Sequence, residues 1–570
     1  MPQEMNQTLP HGEMPPMGGP GGPGGPPPMP GMEPVTLPDI NFQRLTLDWA
    51  QYKNKWERHP DGYYQLKFVY YCTNVLSPAH QYMNIYVPAA YLHEDGSINH
   101  SGRCNGYDAL SAPIILHNGC AGWMSSTPSG ANMDYIQEGF VHVSVGARSR
   151  GLEHGIGKAP AACVDQKAAV RMLRLHDEHI PGDKEKIISC GGSGGGQMSS
   201  ILGATGNMPD YYPWLEEIGA AGIRKKADGT YVSTIPDHVF ASQCYCPIAD
   251  INNAELAYSW MRFDSGETEV FDMMRNSKTP ILPFHSALQD DLAQKFAEYI
   301  NSLGLTNEAG NALRFDKKPD GSYALRSGTY HQQILDNLSN ALNAWLKDKV
   351  KSDGSLEYTK SFGPGDVRHF TLPNVDAYFA SLKDADKWLK KAPGGSYRVL
   401  DIAGFFRGTE LARGKTIPGF DTFHCTSENN AFGQAEEDGV HFSASAAEVM
   451  EKNYDRYREL PGFEHEDVDI YIQQARREDV QRQTYLMNAT HIFLGNARGA
   501  EKSDFSKYWR TRNGSADEHT SFTVAYNLCM AAKMAGADVD YALIWNAPHG
   551  DVDGDGTGSF AQWVHRISGK

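Results

Sequence analysis

The feature of this sequence most able to do covalent chemistry is a serine among glycines. Gly191-Gly192-Ser193-Gly194-Gly195 follows a strand-like run at 186–190 and precedes a helix-like segment at 197–202. A serine on a sharp turn from strand to helix exposes its hydroxyl at the edge of a sheet, where glycines leave room for a carbonyl. A flexible linker is the alternative, because a chain with 57 glycines can contain this pattern by chance. The flanking runs favour a nucleophile elbow.

A serine hydroxyl reacts only with help from a histidine base and a carboxylate that orients this base. In α/β-hydrolases the chain order is serine, acid, histidine, with the histidine after the last strand. Of the 21 histidines, His549 directly follows the last strand-like run, at 539–545. Asp517 lies in the polar loop after the preceding run, at 508–512. Glu518 and Asp540 remain rivals for the acid, since sequence alone does not orient side chains.

Acyl transfer also requires N–H donors for the developing oxyanion. The residue after the nucleophile, Gly194, supplies one of them. The loop 117–123 follows an early apolar strand and is a close variant of the HGGG-type loop of esterases, so Cys120 or Ala121 is the predicted second donor. Cys120 as a nucleophile is a weaker interpretation, because it lacks the elbow context.

These residues need a sheet to position them. Strand-like runs at 64–71, 83–87, 112–116, 140–145 and 239–248 alternate with helical patterns after residue 140, and continuous apolar strands are typical of a sheet covered on both faces. We therefore predict an α/β-hydrolase fold, a mostly parallel sheet with helices on both faces. Residues 37–249 and 490–570 form the predicted core, and 250–489, mainly helices and loops, a large inserted cap or lid.

Composition restricts the partners. The net charge of −17 and a pI near 5.6 argue against nucleic acid. Neither a membrane-spanning run nor a signal peptide is visible. Residues 1–36, rich in Gly, Pro and Met, are predicted to be a disordered arm, with a tethering spacer as the alternative. Cellular location and oligomeric state stay open.

No metal site and no cofactor are predicted. The nine cysteines lack paired C-x-x-C spacing and are expected to be mostly buried thiols. Asp551-Val552-Asp553-Gly554-Asp555-Gly556 resembles the start of a calcium loop, but Gln562 stands where an EF-hand has its glutamate. A polar turn is the favoured interpretation.

Four segments extend the pattern beyond a generic hydrolase: the helical stretch Val164–Arg171, the elbow, Tyr245–Asp250 and Asp538–Leu543. Together they resemble the bacterial tannases, tannin acylhydrolases with a large cap, over residues 60–570. The resemblance implies a triad of Ser193, Asp517 and His549, which agrees with the chain-order argument. Fungal tannases and feruloyl esterases, with cysteines before the serine and the histidine, match less well.

The resemblance also implies a binding site for a galloyl ring. Its hydroxyls would meet a cap lysine, a cap glutamate and a second aspartate of the acid loop. Lys415 and Glu428 match the first two, Glu428 in a stretch, Ser427–Gly433, that lacks only the proline of the family pattern. A carboxylate accepts phenol hydrogen bonds and an ammonium donates to phenol oxygens, although a surface ion pair is the plain alternative.

One position departs from the family pattern, because His519 replaces the second aspartate. Galloyl esters are the predicted small-molecule substrates, and hydroxycinnamoyl esters such as feruloyl esters are the alternative. A capped serine peptidase of the prolyl-oligopeptidase type shares the triad order, but no blade-length repeat is visible. A polyphenol- or carbohydrate-binding protein that has lost its chemistry is the non-enzyme alternative.

Overall fold

The structure is a computed structural model that describes residues 36–272, 277–361, 367–554 and 558–570. The predicted disordered arm lies outside these residues, apart from residue 36. Residues 41–570 form one compact unit. None of the described helices is both long enough and apolar enough to cross a membrane.

A nine-stranded sheet forms the centre of this unit, in the order β1-β2-β3-β5-β4-β6-β7-β8-β9. The pairs β1–β2, β2–β3 and β3–β5 are antiparallel. All later neighbours in this order, β5–β4, β4–β6, β6–β7, β7–β8 and β8–β9, are parallel. The strands β1 to β9 are Glu57–His59, Tyr63–Tyr70, Tyr82–Pro88, Ile114–Asn118, Val141–Val145, Ile187–Gly192, Ala241–Tyr245, Tyr508–Gly514 and Asp538–Ile544.

Seventeen α-helices occur among the described residues. They are α1 Met133–Gln137, α2 Ala161–Leu175, α3 Gly194–Ala204, α4 Tyr212–Glu217, α5 Ala254–Arg262, α6 Pro283–Leu303, α7 Thr329–Lys349, α8 Val375–Ala380, α9 Ala385–Trp388, α10 Ile402–Thr409, α11 Ala444–Lys452, α12 Tyr454–Tyr457, α13 Val468–Ala475, α14 Glu478–Leu486, α15 Ala489–Ala497, α16 Phe522–Met534 and α17 Phe560–Ile567. Helix α3 packs against β6 and β7, and α16 packs against β8 and β9.

The central strands are buried along their length, as their apolar sequences predict. Every residue of β5 and of β7 is buried. Such strands gain stability only when both faces of the sheet are covered. Together with the strand order, this burial confirms the predicted α/β-hydrolase fold.

The charged residues of α2 are structural rather than exposed. Asp165 pairs with Arg148 at 2.9 Å, while Lys167 and Arg171 pair with Asp237 at 2.8 and 2.6 Å. All five side chains are at most 5% exposed. Because a buried charge is tolerated only when it is paired, these residues fix α2 beside the sheet.

A long segment, residues 246–507, lies between the neighbouring strands β7 and β8. Its described residues contribute no strand to the nine-stranded sheet and contain α5 to α15. Four small hairpins accompany these helices: Glu269–Asp272 with Ser277–Pro280, Asp316–Lys317 with Tyr323–Ala324, Leu356–Ser361 with Val367–Leu372, and Leu389–Lys391 with Tyr397–Val399. The cap limits 250 and 489 stay a prediction.

The remaining hairpins are Arg103–Cys104 with Tyr107–Asp108 and Ile223–Lys225 with Tyr231–Ser233.

All nine cysteines are free thiols, and seven of them are buried. The acidic turn near the C-terminus is tied into the fold, because Asp553 accepts a hydrogen bond from Tyr245 at 2.6 Å and pairs with Arg510 at 3.0 Å. Asp555 lies outside the described residues.

Candidate active site

Ser193 occupies the turn between β6 and α3. Its φ of 57° and ψ of −122° are strained for a residue with a side chain. The surrounding chain enforces the turn, since Ser193 N–H donates to Tyr245 O at 3.0 Å. A Cβ on Gly191 would lie 2.5 Å from Gly195 O, so the backbone closes only around glycine. The predicted elbow geometry is therefore present.

His549 stands between Ser193 and Asp517. Its Nε2 lies 2.8 Å from Ser193 Oγ, and its Nδ1 lies 3.0 and 2.9 Å from the two oxygens of Asp517. Asp517 also accepts hydrogen bonds from the N–H groups of His519 at 2.9 Å and Thr520 at 2.8 Å. This continuous hydrogen-bonded chain can take a proton from the serine hydroxyl and hold the resulting imidazolium.

The loops that carry the acid and the histidine are joined to each other. Ala516 N–H donates to Ala547 O at 3.0 Å, and Asn546 N–H donates to Ser515 Oγ at 2.9 Å. Because β8 and β9 are adjacent and parallel, their carboxyl ends bring both loops to the edge of the sheet where Ser193 lies. The rival Asp540 instead pairs with Arg512 at 2.8 Å and Arg566 at 3.0 Å.

The oxyanion candidates lie against the elbow. A Cβ on Gly194 would lie 2.5 Å from Cys120 O, which places the loop 119–123 directly beside the residue after the nucleophile. Ala121 N–H donates to Gly119 O at 2.7 Å, so it is engaged within its own loop. This favours Cys120 over Ala121 as the second donor. Burial raises the pKa of the Cys120 thiol to about 11, which makes it a poor nucleophile.

The three predicted substrate-binding side chains lie together near His549; they are Lys415, Glu428 and His519. Lys415 Nζ is 3.3 Å from Glu428 Oε1, with side-chain exposures of 18% and 4%, so this is not an exposed surface pair. The His519 and His549 rings are 5.2 Å apart. Burial, together with the charges of His549 and Lys415, lowers the pKa of His519 to about 4. His519 is therefore neutral near pH 7.

The chain is similar in sequence and in fold to known ester hydrolases. The family model BD-FAE matches residues 107–232, which include the loop of Cys120 and the elbow. The tannase of Fusobacterium nucleatum superposes with a TM-score of 0.66 at 27% identity, covering 89% of this chain and 95% of that chain. A tannin acyl hydrolase in complex with ethyl gallate superposes with a TM-score of 0.67 at 25% identity, covering 89% and 94%.

Two further similarities complete the comparison. The native tannin acyl hydrolase of Lactobacillus plantarum has the same fold, with a TM-score of 0.67 at 24% identity over 89% of this chain and 94% of that one. LipM of Mycobacterium tuberculosis, a probable carboxylic ester hydrolase, is 29% identical over 142 residues. That match spans 22% of this chain and only 32% of the length of LipM. This chain is a carboxylic ester hydrolase with the fold of the bacterial tannases.

The loop that carries Lys415 and Glu428 in this ester hydrolase is anchored by two buried carboxylates. Glu255 accepts hydrogen bonds from the N–H groups of residues 419, 420 and 421 at 2.9, 2.8 and 2.6 Å. Asp421 accepts a hydrogen bond at 2.7 Å from Nδ2 of Asn429, the residue that follows Glu428 in the chain. Burial and the nearby Asp421 raise the pKa of Glu255 to about 8. Sequence patterns did not single out either carboxylate.

A third residue that sequence patterns did not single out is Cys246, just after β7. Its Sγ lies 3.9 Å from His549 Nε2 and 3.6 Å from Gly550 O. Cys246, Asp517 and His549 are the only three potential metal ligands that cluster within 4.8 Å among the described residues. Because the histidine already bridges Ser193 and Asp517, we interpret this cluster as part of the hydrolytic site. Its only sequence signal was its place in the family-like stretch 245–250.

The pKa shifts of the pair predict how activity depends on pH. Burial alone would lower the pKa of His549, but Asp517 raises it well above the ordinary 6.5. Burial would raise the pKa of Asp517, yet His549 and the backbone donors lower it. His549 must be neutral to accept a proton, and a raised pKa means that the neutral form is lost sooner as the pH falls. We expect kcat/KM to decline at acid pH with an apparent pKa above 6.5.

This expectation is checked by the pH profile of kcat/KM for any cleaved ester. Asp517→Asn serves as the matched variant, because loss of the carboxylate should move the acid limb to lower pH. A wild-type limb centred at or below 6.5, or a limb that does not move in Asp517→Asn, would contradict the assignment of the base.

Proposed function

We propose that this ester hydrolase is a serine esterase that cleaves phenolic acyl esters of the galloyl type. The observation that carries the proposal is the hydrogen-bonded chain from Ser193 through His549 to Asp517, with the Lys415–Glu428 pair beside it. The similarity to a tannin acyl hydrolase in complex with ethyl gallate supports the substrate class.

In the acylation step, Ser193 Oγ attacks the ester carbonyl carbon while His549 Nε2 takes the hydroxyl proton. The N–H groups of Gly194 and Cys120 stabilise the oxyanion. When the carbon–oxygen bond of the ester breaks, His549 returns the proton to the leaving alcohol. Water then attacks the acyl-serine with the same base, and the carboxylic acid is released. This cycle consumes one water and requires no cofactor.

Three polar side chains would select the acyl group. The Glu428 carboxylate accepts a hydrogen bond from a ring hydroxyl, and the Lys415 ammonium donates to a neighbouring phenol oxygen. His519, neutral near pH 7, accepts or donates one bond without adding charge. A substrate whose acyl ring lacks hydroxyls cannot donate a hydrogen bond to the buried Glu428 carboxylate, and this loss weakens binding.

His519 gives the hydroxycinnamoyl alternative a physical basis. A methoxy group has no hydrogen to donate, so a buried carboxylate facing it would be a charged acceptor left without a hydrogen bond. A neutral imidazole in the same place is uncharged, and leaving it without this hydrogen bond costs less binding energy. His519 therefore favours tolerance of one methoxy group, as in ferulate. The variant His519→Asp is expected to lower kcat/KM for methyl ferulate relative to methyl gallate, and an unchanged ratio would contradict this role.

The substrate proposal is tested with methyl gallate and methyl 3,4,5-trimethoxybenzoate, whose hydroxyls are blocked. Glu428→Gln should lower kcat/KM for the gallate about 10-fold or more, because a hydrogen bond to a charged group contributes about 1.5–3 kcal/mol. It should change the trimethoxy ester little. Glu448→Gln is the matched control, because Glu448 also pairs with a lysine, Lys295, but its side chain is 57% exposed.

Two results would overturn the substrate proposal. One is an equal effect of Glu428→Gln on both esters, which would mean that the carboxylate does not contact the hydroxyls. The other is much faster cleavage of methyl ferulate than of methyl gallate by the wild type, which would make the protein a feruloyl-type esterase.

A further inference from the structure

A second hydrogen-bonded system of nucleophile, histidine and carboxylate lies outside the hydrolytic site. Cys425 Sγ is 3.3 Å from His441 Nε2, and His441 Nδ1 is 2.7 Å from Asp421 Oδ1. The Tyr471 ring stacks on the imidazole, with centroids 4.2 Å apart. The mechanism proposed above uses none of these groups.

The surroundings hold the imidazole in one place. The side chains of His441 and Asp421 are 2% and 0% exposed. Burial alone would lower the pKa of His441, but the hydrogen bonds to Asp421 and Cys425 outweigh it and raise the pKa to about 9. His441 is therefore an imidazolium near pH 7. An imidazolium stabilises the negative charge of a thiolate, and the thiolate is the reactive form of cysteine.

Cys425 is also reachable from solvent. It is only partly buried, and its neighbours in the chain, His424 and Thr426, are exposed. Its φ of 48° lies in the left-handed region, at a turn closed by Cys425 N–H donating to Thr422 O at 2.9 Å. A nucleophile held on a strained turn beside a fixed imidazolium is typical of a reactive site rather than of a packing residue.

We propose that Cys425, with His441 and Asp421, forms an oxidisable thiol site that controls the loop carrying Glu428. The thiolate sulfur attacks one oxygen of a peroxide such as hydrogen peroxide, forming an S–O bond as the O–O bond breaks. The leaving hydroxide takes the proton of the His441 imidazolium and departs as water. The sulfur is oxidised by two electrons to sulfenic acid, and the peroxide is reduced.

The link to the substrate loop runs through Asp421. This carboxylate binds His441 and also Asn429, the residue after Glu428. It accepts further hydrogen bonds from the N–H groups of Phe442 and Ser443 at 2.6 and 2.7 Å. Oxidation removes the thiolate and the imidazolium charge together, so the hydrogen bond from His441 Nδ1 to Asp421 loses its charge assistance and Asp421 is held less firmly. This step rests on the role proposed for Glu428.

The thiol site itself is tested on the native protein without any substrate. Iodoacetamide labelling followed by peptide mass spectrometry should modify Cys425 about 10-fold faster or more than Cys104. Cys104 is the matched control, because it is the other partly buried cysteine and burial raises its pKa. Hydrogen peroxide with dimedone should trap a sulfenic acid on Cys425 and not on Cys104.

The variant His441→Gln should slow labelling of Cys425 to the rate of Cys104, while labelling of Cys104 stays the same. Equal rates for the two cysteines in the wild type would overturn the thiol site, whatever the stability of the variant. So would a Cys425 rate that does not depend on His441 in a folded variant.

The control of the loop is tested separately. Peroxide treatment should raise KM for methyl gallate severalfold in the wild type and in Cys104→Ser, but not in Cys425→Ser. An unchanged KM in protein whose Cys425 is oxidised would overturn the link to the loop. Failure of the substrate proposal would look different, because it would be seen in untreated protein, as an equal effect of Glu428→Gln on both test esters or as much faster cleavage of methyl ferulate than of methyl gallate.

Discussion

Replacing Ser193 with alanine is expected to lower kcat for ester hydrolysis by about 10⁴- to 10⁶-fold. The alanine keeps the elbow but removes the oxygen that lies 2.8 Å from His549 Nε2. Without this nucleophile no acyl-enzyme forms, and only the oxyanion donors and binding contribute to the remaining rate. The measurement is steady-state hydrolysis of methyl gallate and methyl ferulate by the variant and the wild type.

Ser559→Ala is a suitable control for this experiment. Ser559 is also the residue before a helix, α17, and its hydroxyl caps that helix by accepting a hydrogen bond from Gln562 N–H at 3.2 Å. Its loss should affect stability but not turnover. The double variant Ser193→Ala with His549→Ala should be no slower than Ser193→Ala alone, because the two residues act as a unit. Equal activity of Ser193→Ala and wild type would refute the mechanism.

Replacing Asp517 with asparagine is expected to lower kcat by about 10⁴-fold. The amide keeps the size of the side chain but loses the charge that favours the imidazolium, and it can hold the ring in the wrong tautomer. Asp517 is 1% exposed, and its two oxygens both bind His549 Nδ1. They therefore fix the orientation of the ring and stabilise its positive charge. The effect should fall on kcat more than on KM, since the carboxylate acts through His549.

The two rival acids provide the controls. Asp540→Asn removes a carboxylate that pairs with Arg512 and Arg566, and it should leave kcat nearly unchanged. Glu518→Gln should also have little effect on kcat, because the Glu518 carboxylate lies 3.5 Å from His519 Nε2, whereas the ring nitrogen His549 Nδ1 is bound by Asp517. A larger loss in either control than in Asp517→Asn would show that the acid has been misassigned.

The strands that position the hydrolytic site were predictable from local sequence. The run 508–512 became β8, Tyr508–Gly514, and the run 539–545 became β9, Asp538–Ile544. Strand identity came from apolar residues that can be buried on both faces, and chain order then placed Asp517 and His549 at the same edge.

Other parts of the site could not be predicted, because they depend on contacts between distant residues. Glu255 on α5 binds backbone N–H groups at 419–421, and neither segment has a motif that reveals the other. Cys425 and His441 are 16 residues apart without secondary structure that would place them face to face. The position of His519 was visible in the sequence, but its neutral state depends on burial and on the charges of His549 and Lys415.

Covalent labelling with a fluorophosphonate tests the central claim most directly, because it does not depend on the identity of the natural ester. The reagent phosphonylates an activated serine as fluoride leaves, and it requires the base and the oxyanion donors but no particular acyl group. Peptide mapping of the labelled protein should place a single adduct on Ser193, with labelling strongly slowed in Asp517→Asn and absent in Ser193→Ala. An unlabelled wild type, or an adduct on a different residue, would contradict a serine esterase built on Ser193, His549 and Asp517.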